Sequence, residues 1–394
     1  MHSHLVSDQS KMIIEEDQLK FVLEAVAKKL NVDKKWRYVK RKQNDDLVNF
    51  AGILLPVSLI DETKGKDFNM LIKTVPDWPV EKVVDEIFIK EYHFYTKLLP
   101  IYKCMKTNID VDNLLPECYY ADSSPDHRVL AIQDMTFKGF EKPIKRENLD
   151  YKHMSVALET IAKFHALSFI MMKNNVTYTN SLSVKYSEDF TAILKYAINK
   201  SFFIFKDKYY FDFLEKLCGG LEKYMEDGVD KAKGKVYGHG DFYKENILFK
   251  YSNCVPVDAC LIDFQHTRSI NLAQDVLFLI MTSTDAADRK LHFHDYLNYY
   301  YESLHSILKS NGVEVSVGYS YEDFEYDLKL AVPVCLIITV FSYTIWCGVI
   351  DLECSMSPDK VPPPIKEKDA VKVGKLVDHL MMDFVDLGYL PELR

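Results

Sequence analysis

The chain has 394 residues, 48% of them apolar, and a formal net charge of −9. That is enough apolar chain to fill one large or two ordinary cores, and an acidic composition without a long basic run leaves no expected role for nucleic acid. The eight cysteines are scattered, with no C-x-x-C pair and no zinc spacing with histidine, and no secretory signal is visible at the start; both features point to reduced thiols in a cytoplasmic protein.

Apolar periodicity predicts a helix over 16–30, then β-leaning sequence over 36–75. Inside the β-leaning stretch, Asn49, Phe50, Ala51 and Gly52 separate two runs and form the candidate phosphate loop, although no G-x-G-x-x-G is present. Gly52 permits close backbone approach to a phosphate, and Asn49 or the loop amides can donate to it. Residues 70–75 alternate as a strand, with Lys73 on the same face as Leu71 and Val75. A helix is predicted over 80–99. Its apolar stripe runs through Val80, Val83, Val84, Ile87, Phe88, Tyr95 and Leu98. Glu91 falls inside that stripe, whereas Glu86 and Lys90 fall on the other side. A carboxylate on a buried face needs a partner, and Lys73 is the natural one. A strand lysine held by a helix glutamate is how a kinase aims an ammonium at nucleotide phosphates.

After the apolar run 129–132, backbone groups from Gln133 to Met135 are expected to meet an adenine edge. The sequence then turns mostly helical. We therefore expect an N-terminal helical extension (1–32), a small β-rich N-lobe (33–136) and a large, mostly helical C-lobe (137–394). The overall class is α+β and bilobal. The helical part is interrupted by Asp241, Asn246 and Asp263, which flank two short β-rich runs. Phosphoryl transfer needs a carboxylate to deprotonate a hydroxyl, and a carboxamide and a carboxylate to hold magnesium; these three residues supply them in that order. A hairpin pairing Tyr251 with Asp258 would set Asn246 opposite Asp263. The run 330–350 is long enough to span a bilayer, but it carries Pro333, Ser342, Tyr343 and Gly348. It reads as a buried helix of the helical lobe, so no membrane insertion is expected.

Several spaced blocks carry a family resemblance: ECYY at 117–120, LAIQDM at 130–135 with Gly139 and Phe140, IAKFHA at 161–166, the block 239–249, and LIDFQ at 261–265. Together they resemble the ecdysteroid kinase-like family, which is related to choline kinases and aminoglycoside phosphotransferases. The resemblance implies a protein-kinase-like fold and ATP-dependent phosphorylation, with Mg2+, of a small-molecule alcohol such as an ecdysteroid. It implies that Asp241 is the catalytic base, that Asn246 and Asp263 are metal ligands, and that Lys73 with Glu91 positions the phosphates. Asp275 would buttress the catalytic loop, and His165 and His239 would be structural. Gln133 stands where the family commonly has Glu, and Gly52 where it commonly has Ser. Gln265 stands where protein kinases have Gly, so no phosphorylation-gated loop is expected. A choline- or ethanolamine-type kinase, with the aromatic run from Phe202 to Phe213 in its pocket wall, is the alternative within enzymes. A catalytically silent binding module is the alternative outside them. A protein-serine kinase fits poorly, because Gly240 replaces the catalytic-loop Arg.

Overall fold

The alternating apolar residues of 53–74 form two long strands, β2 (Ile53–Asp61) and β3 (Lys66–Thr74), paired antiparallel from Ile53 with Thr74 to Asp61 with Lys66. Gly65, at φ 58°, supplies the left-handed residue that their tight turn requires. With β1 (Trp36–Lys40), β4 (Cys118–Asp122) and β5 (Val129–Gln133) they make a five-stranded antiparallel sheet of order β1-β2-β3-β5-β4. The computed structural model describes residues 14–32, 35–42, 52–75, 81–125, 127–143, 148–174, 186–313, 319–351 and 364–390.

The N-terminal helix α1 (Glu16–Lys29) is more than an extension. Its apolar stripe of Leu19, Val22, Leu23 and Val26 packs on Val57, Leu59, Met70 and Ile72 of the sheet. That covers one sheet face, which would otherwise leave apolar side chains in water. On the site side runs α2 (Glu81–His93). The single helix predicted over 80–99 instead passes into a π-helical turn (Phe94–Leu98), where the Leu99 N–H bonds back to the Phe94 carbonyl, before α3 (Leu99–Cys104). Pro100 is the reason, since it has no N–H to give the Thr96 carbonyl and the local ladder widens. A short α4 (Val111–Leu114) leads into β4.

Beyond β5 a 3-10 turn (Met135–Lys138) leads to β6 (Phe140–Glu141), which pairs with the hairpin strand β8 (Ile247–Ser252). The long helix α5 (Tyr151–Lys173), capped by Asp150, forms the axis of the helical part. It packs against α10 (Ala286–Ser310) and against β9 (Val255–Leu261) and β7 (Lys235–Gly238). Around it lie α6 (Glu188–Ser201), α7 (Phe211–Gly219), α8 (Leu221–Asp230), β10 (Arg268–Asn271), α9 (Ala273–Ser283), α11 (Tyr321–Trp346) and α12 (Glu367–Asp386). Among the described residues two helices, α5 and α11, are long and apolar enough to cross a membrane, and the most apolar window of each is 72% buried within the protein. The run 330–350 thus supplies Val332, Leu336, Ile337 and Val340 to the main core.

The expected hairpin register is corrected by one residue. Ile247 pairs with Leu261 and Lys250 with Asp258, but Tyr251 pairs with Pro256, leaving Val257 as an extra residue. Pro256 cannot donate to the ladder, and the chain bulges beside it. Asn253 and Cys254 close the turn with φ of 50° and 61°. Asn246 therefore stands across from Ile262, whose N–H donates to its carbonyl at 3.1 Å, and not from Asp263.

Candidate active site

Asp263 still reaches the site, because its own backbone turns out of the strand at φ 66°. Such a conformation is costly for a residue other than Gly and marks functional positions. Its carboxylate meets the Lys73 ammonium at 2.7 Å, and Glu91 of α2 meets the same ammonium at 2.6 Å. Lys73 is 4% and Glu91 1% exposed, so the cluster is a buried one joining sheet, helix and hairpin. Burial works against the Lys73 charge, yet the Asp263 and Glu91 carboxylates outweigh it and raise its pKa. Burial and the Asp263 charge push Glu91 up despite Lys73. Burial also pushes Asp263 up, but Lys73 holds its pKa below the usual aspartate value. The π turn adds a second tie, stacking Phe94 on Phe264 with ring centroids 3.7 Å apart. Gly52 lies against the same lysine: a Cβ there would come within 2.8 Å of Lys73 Cε. Asn49 falls outside the described residues.

The loop after β7 is shaped by Asp275 in the first turn of α9. Its carboxylate accepts the His239 N–H at 2.7 Å, the Gly240 N–H at 2.9 Å and His165 Nε2 at 3.1 Å. His165 is braced in turn by Tyr300 Oη at 2.7 Å. His239 donates from Nε2 to the Ile262 carbonyl at 2.9 Å, and burial lowers its pKa. His239 thus holds backbone in place, while His165 holds the Asp275 carboxylate that does so. Gly240 has φ 80°, and a Cβ there would collide with the His266 carbonyl oxygen and the Arg268 guanidinium. Gly240→Ala should therefore cost about 3 kcal/mol or more, from backbone strain plus overpacking, read as a lowered urea midpoint at unchanged slope. A wild-type midpoint would mean that the loop is not so constrained.

Asp241 follows directly. Asn246 Nδ2 donates to its carboxylate at 3.0 Å and to its carbonyl at 2.8 Å. Burial, then the charge of Asp263, raises the Asp241 pKa to about 7, against the opposing Asn246 hydrogen bond and Arg268 charge. The structure thus brings Lys73, Glu91 and Asp263 into direct contact and sets Asp241 with Asn246 beside them. Asn246 and Asp263 offer carboxamide and carboxylate oxygens, the donor type that a hard divalent cation takes.

Gln133 and Met135 lie at the junction of the two parts. The Gln133 N–H is engaged by the Glu117 carbonyl at 2.7 Å and the Asp134 N–H by the Asn69 carbonyl at 3.0 Å. The Met135 side chain packs with Phe140, Leu248, Cys260 and Ile262. Arg41, not singled out from the sequence, fixes this segment through Asp134 at 2.7 Å and the Met70 carbonyl at 3.2 Å.

A cleft opens from Asp241 into the helical part, about 650 Å³ including space open to solvent. Its apolar wall includes Phe190, Leu194, Phe278, Val334, Ile338 and Phe341, and its polar side includes Asp241, His266, Arg268 and Asp275. The aromatic run from Phe202 to Phe213 is not part of this wall. Phe202, Phe205 and Tyr210 are core, while Phe203 and Tyr209 are largely exposed. Glu86 and Lys90 do lie on the other side of α2, against the start of α6. Lys90 is 2% exposed, pairs with Glu86 and lies 4.1 Å from the Tyr186 ring. Glu86 in turn accepts the Ser187 N–H at the start of α6. The helix that presents Glu91 to Lys73 therefore presents a second charged pair to the cleft wall. Periodicity could not reveal it, because α6 covers that face of α2 only in the folded chain.

A five-stranded antiparallel sheet with one site-facing helix, followed by a helical part with an inserted hairpin, is a bilobal α+β architecture of the protein-kinase-like class. The profile of the ecdysteroid kinase-like family matches residues 47–313. The chain belongs to that family, a kinase-like family of the small-molecule type. No curated protein matches it. Among solved structures, an ethanolamine kinase of Plasmodium vivax aligns over 97% of this chain and 92% of its own, at 13% identity and TM-score 0.49. The GDP complex of a wild-type aminoglycoside 2'-phosphotransferase aligns over 94% and 100%, at 14% identity and TM-score 0.44. An ADP-bound aminoglycoside phosphotransferase aligns over 80% and 98%, at 14% identity and TM-score 0.33.

Proposed function

We propose that the protein is an ATP-dependent kinase that transfers the γ-phosphoryl group to an alcohol of a lipophilic small molecule, with a steroid such as an ecdysteroid as the fitting class. The observation that carries this is the Lys73 ammonium held between Glu91 and Asp263 at 2.6 and 2.7 Å, with Asp241 alongside at the mouth of an apolar cleft. Residues up to about 136 would hold the nucleotide, and those from 137 on the acceptor. The Gln133 carbonyl and Met135 N–H would meet the adenine edge, and the Asn49–Gly52 loop and Lys73 the phosphates. Asn246 and Asp263 would hold Mg2+, which when bound neutralises charge on the phosphates. The acceptor hydroxyl would lie within hydrogen-bond reach of Asp241. As its oxygen bonds to the γ-phosphorus, the bond to the bridging oxygen of ADP breaks and the hydroxyl proton passes to the Asp241 carboxylate. All seven described cysteines are free thiols, in keeping with a reducing compartment such as the cytoplasm.

Incubation with ATP, Mg2+ and a metabolite extract should yield ADP and a product heavier by one phosphate in mass spectrometry. The base must be ionised, so turnover should rise as pH passes through about 7 and then level off. A thermal shift with acceptor but no ADP from any alcohol would favour the binding-module alternative. A choline- or ethanolamine-type acceptor remains the alternative substrate, and the cleft chemistry bears on it directly.

A further inference from the structure

Arg268 has no part in the phosphoryl-transfer layout, yet it lies in the cleft. It is the first residue of β10, opposite Gly238 of β7, and is 8% exposed. Its Nη1 donates to Tyr186 Oη at 3.1 Å and to the His266 carbonyl at 3.0 Å. Its guanidinium lies 4.5 Å from the Tyr186 ring centroid, and that ring stacks on Phe190 at 4.0 Å. Among the described residues no carboxylate pairs with Arg268. An almost buried arginine is ordinarily matched by a carboxylate, because its desolvation is costly; here it is held by aromatic and carbonyl oxygens. Both Nη1 hydrogens are placed by those bonds, and a guanidinium carries five N–H donors.

No carboxylate of the cleft bonds to this guanidinium, although the Asp241 charge lies near enough to feel it. Asp275 is committed to two backbone N–H groups and His165. Asp241 is the proposed base and is bonded by Asn246. His266, whose Nδ1 lies 2.6 Å from Tyr186 Oη, is depressed to about 3 by burial and by the Arg268 and Lys90 charges. Lys90 adds a second cation against the same tyrosine. The Tyr186 face that a cage would turn toward a quaternary ammonium is therefore already occupied by the protein's own cations.

We infer that Arg268 is a specificity-determining residue of the acceptor cleft: its guanidinium admits neutral or anionic alcohols, hydrogen-bonding an oxygen of the acceptor, and rejects alcohols that bear an ammonium. This rests on the proposed kinase function and narrows its acceptor. Like charges at close range in a partly desolvated cleft repel strongly enough to give about tenfold or more in discrimination.

The test uses matched pairs of alcohols of equal shape, such as choline and its carbon isostere with a quaternary carbon replacing the nitrogen, together with longer homologues of both. With ATP and Mg2+, the full-length protein should show a kcat/KM at least about tenfold higher for the neutral member. Arg268→Gln should bring the ratio toward one, and Arg268→Lys, which keeps the charge, should retain most of it. A ratio near one in the wild type, a preference for the ammonium, or a ratio unchanged in Arg268→Gln overturns the inference. Should Arg268→Gln fail to fold, the wild-type and Arg268→Lys ratios decide. If no pair gives ADP, it is the kinase function that fails. Thermal shifts of the wild type with the same pairs then still decide selectivity, a larger shift for the neutral member supporting it and an equal or smaller one overturning it.

Discussion

Asp241→Asn should lower ADP formation by about 10²–10⁴-fold, the worth of a positioned general base, and at the same time make the protein harder to unfold at neutral pH. The two effects have one cause. Burial and the neighbouring Asp263 charge hold the Asp241 pKa at about 7 in the folded chain, while an aspartate in an unfolded chain titrates at about 3.9. The folded state therefore binds a proton more readily between those values, and stability falls as pH rises through that window and stays low above it. An amide never ionises, so it escapes the penalty. It can still accept the Asn246 Nδ2 hydrogen bond now made to the carboxylate. The full gap would be worth about 4 kcal/mol at roughly 1.4 kcal/mol per pH unit, and solvent at the cleft mouth should reduce it to about 1–2 kcal/mol. Denaturant unfolding at pH 8 should show the variant more stable, and at pH 4 the two curves should nearly coincide. Retained turnover would remove Asp241 from the role of base. Equal stability at pH 8 would show that the carboxyl is not desolvated.

How much of this was legible in the sequence depends on which kind of information each residue carries. Glu91 announced itself because a carboxylate inside an apolar stripe violates the pattern around it, and Lys73 was the one charged residue in an alternating strand positioned to answer it. The order Asp241, Asn246, Asp263 was legible because phosphoryl transfer needs those oxygen donors. The register that brings them together was not. It depends on Pro256, which cannot donate to the ladder, and on two left-handed residues, Asn253 and Cys254. A single-residue bulge leaves composition and alternation almost unchanged, yet it moves every facing pair by one. Asp263 reaches Lys73 only by adopting a left-handed backbone, which an aspartate tolerates better than most residues but which the alternation of the strand does not signal. The cleft wall was hidden for a different reason. Val334, Ile338 and Phe341 lie on the later part of a helix that is almost uniformly apolar there, where core and pocket faces look alike. The contacts of Lys90 and Arg268 with Tyr186 were hidden because that tyrosine lies 96 and 82 residues away in sequence, a proximity that only the folded chain creates.

Lys73→Met should cut turnover severely, as Asp241→Asn does, but with the opposite effect on stability. The ammonium is the sole cation hydrogen-bonded to Asp263 among the described residues, and it also holds Glu91; both carboxylates lie within 2.7 Å of it. Methionine fills nearly the same volume, so the loss is one of charge and not of packing. Two buried carboxylates would be left facing each other without a counter-ion, and breaking a buried pair in this way costs about 3–5 kcal/mol. Burial and the Asp263 charge already push Glu91 above the ordinary range. Without Lys73 it should rise further and take up a proton on folding. The deficit should therefore be largest at high pH, where that proton is scarce, and shrink as pH falls toward the ordinary carboxylate range. A second substitution separates charge from geometry. In Lys73→Met with Glu91→Gln, one of the stranded charges is gone, and most of the lost stability should return while turnover stays severely cut. Unfolding free energies of the two single variants and the double variant form a cycle whose coupling term should exceed about 1 kcal/mol for residues in direct contact. A coupling near zero would mean that the Lys73–Glu91 contact does not hold sheet and helix together in solution. In that case the proposed phosphate-positioning pair would have to assemble only when nucleotide binds.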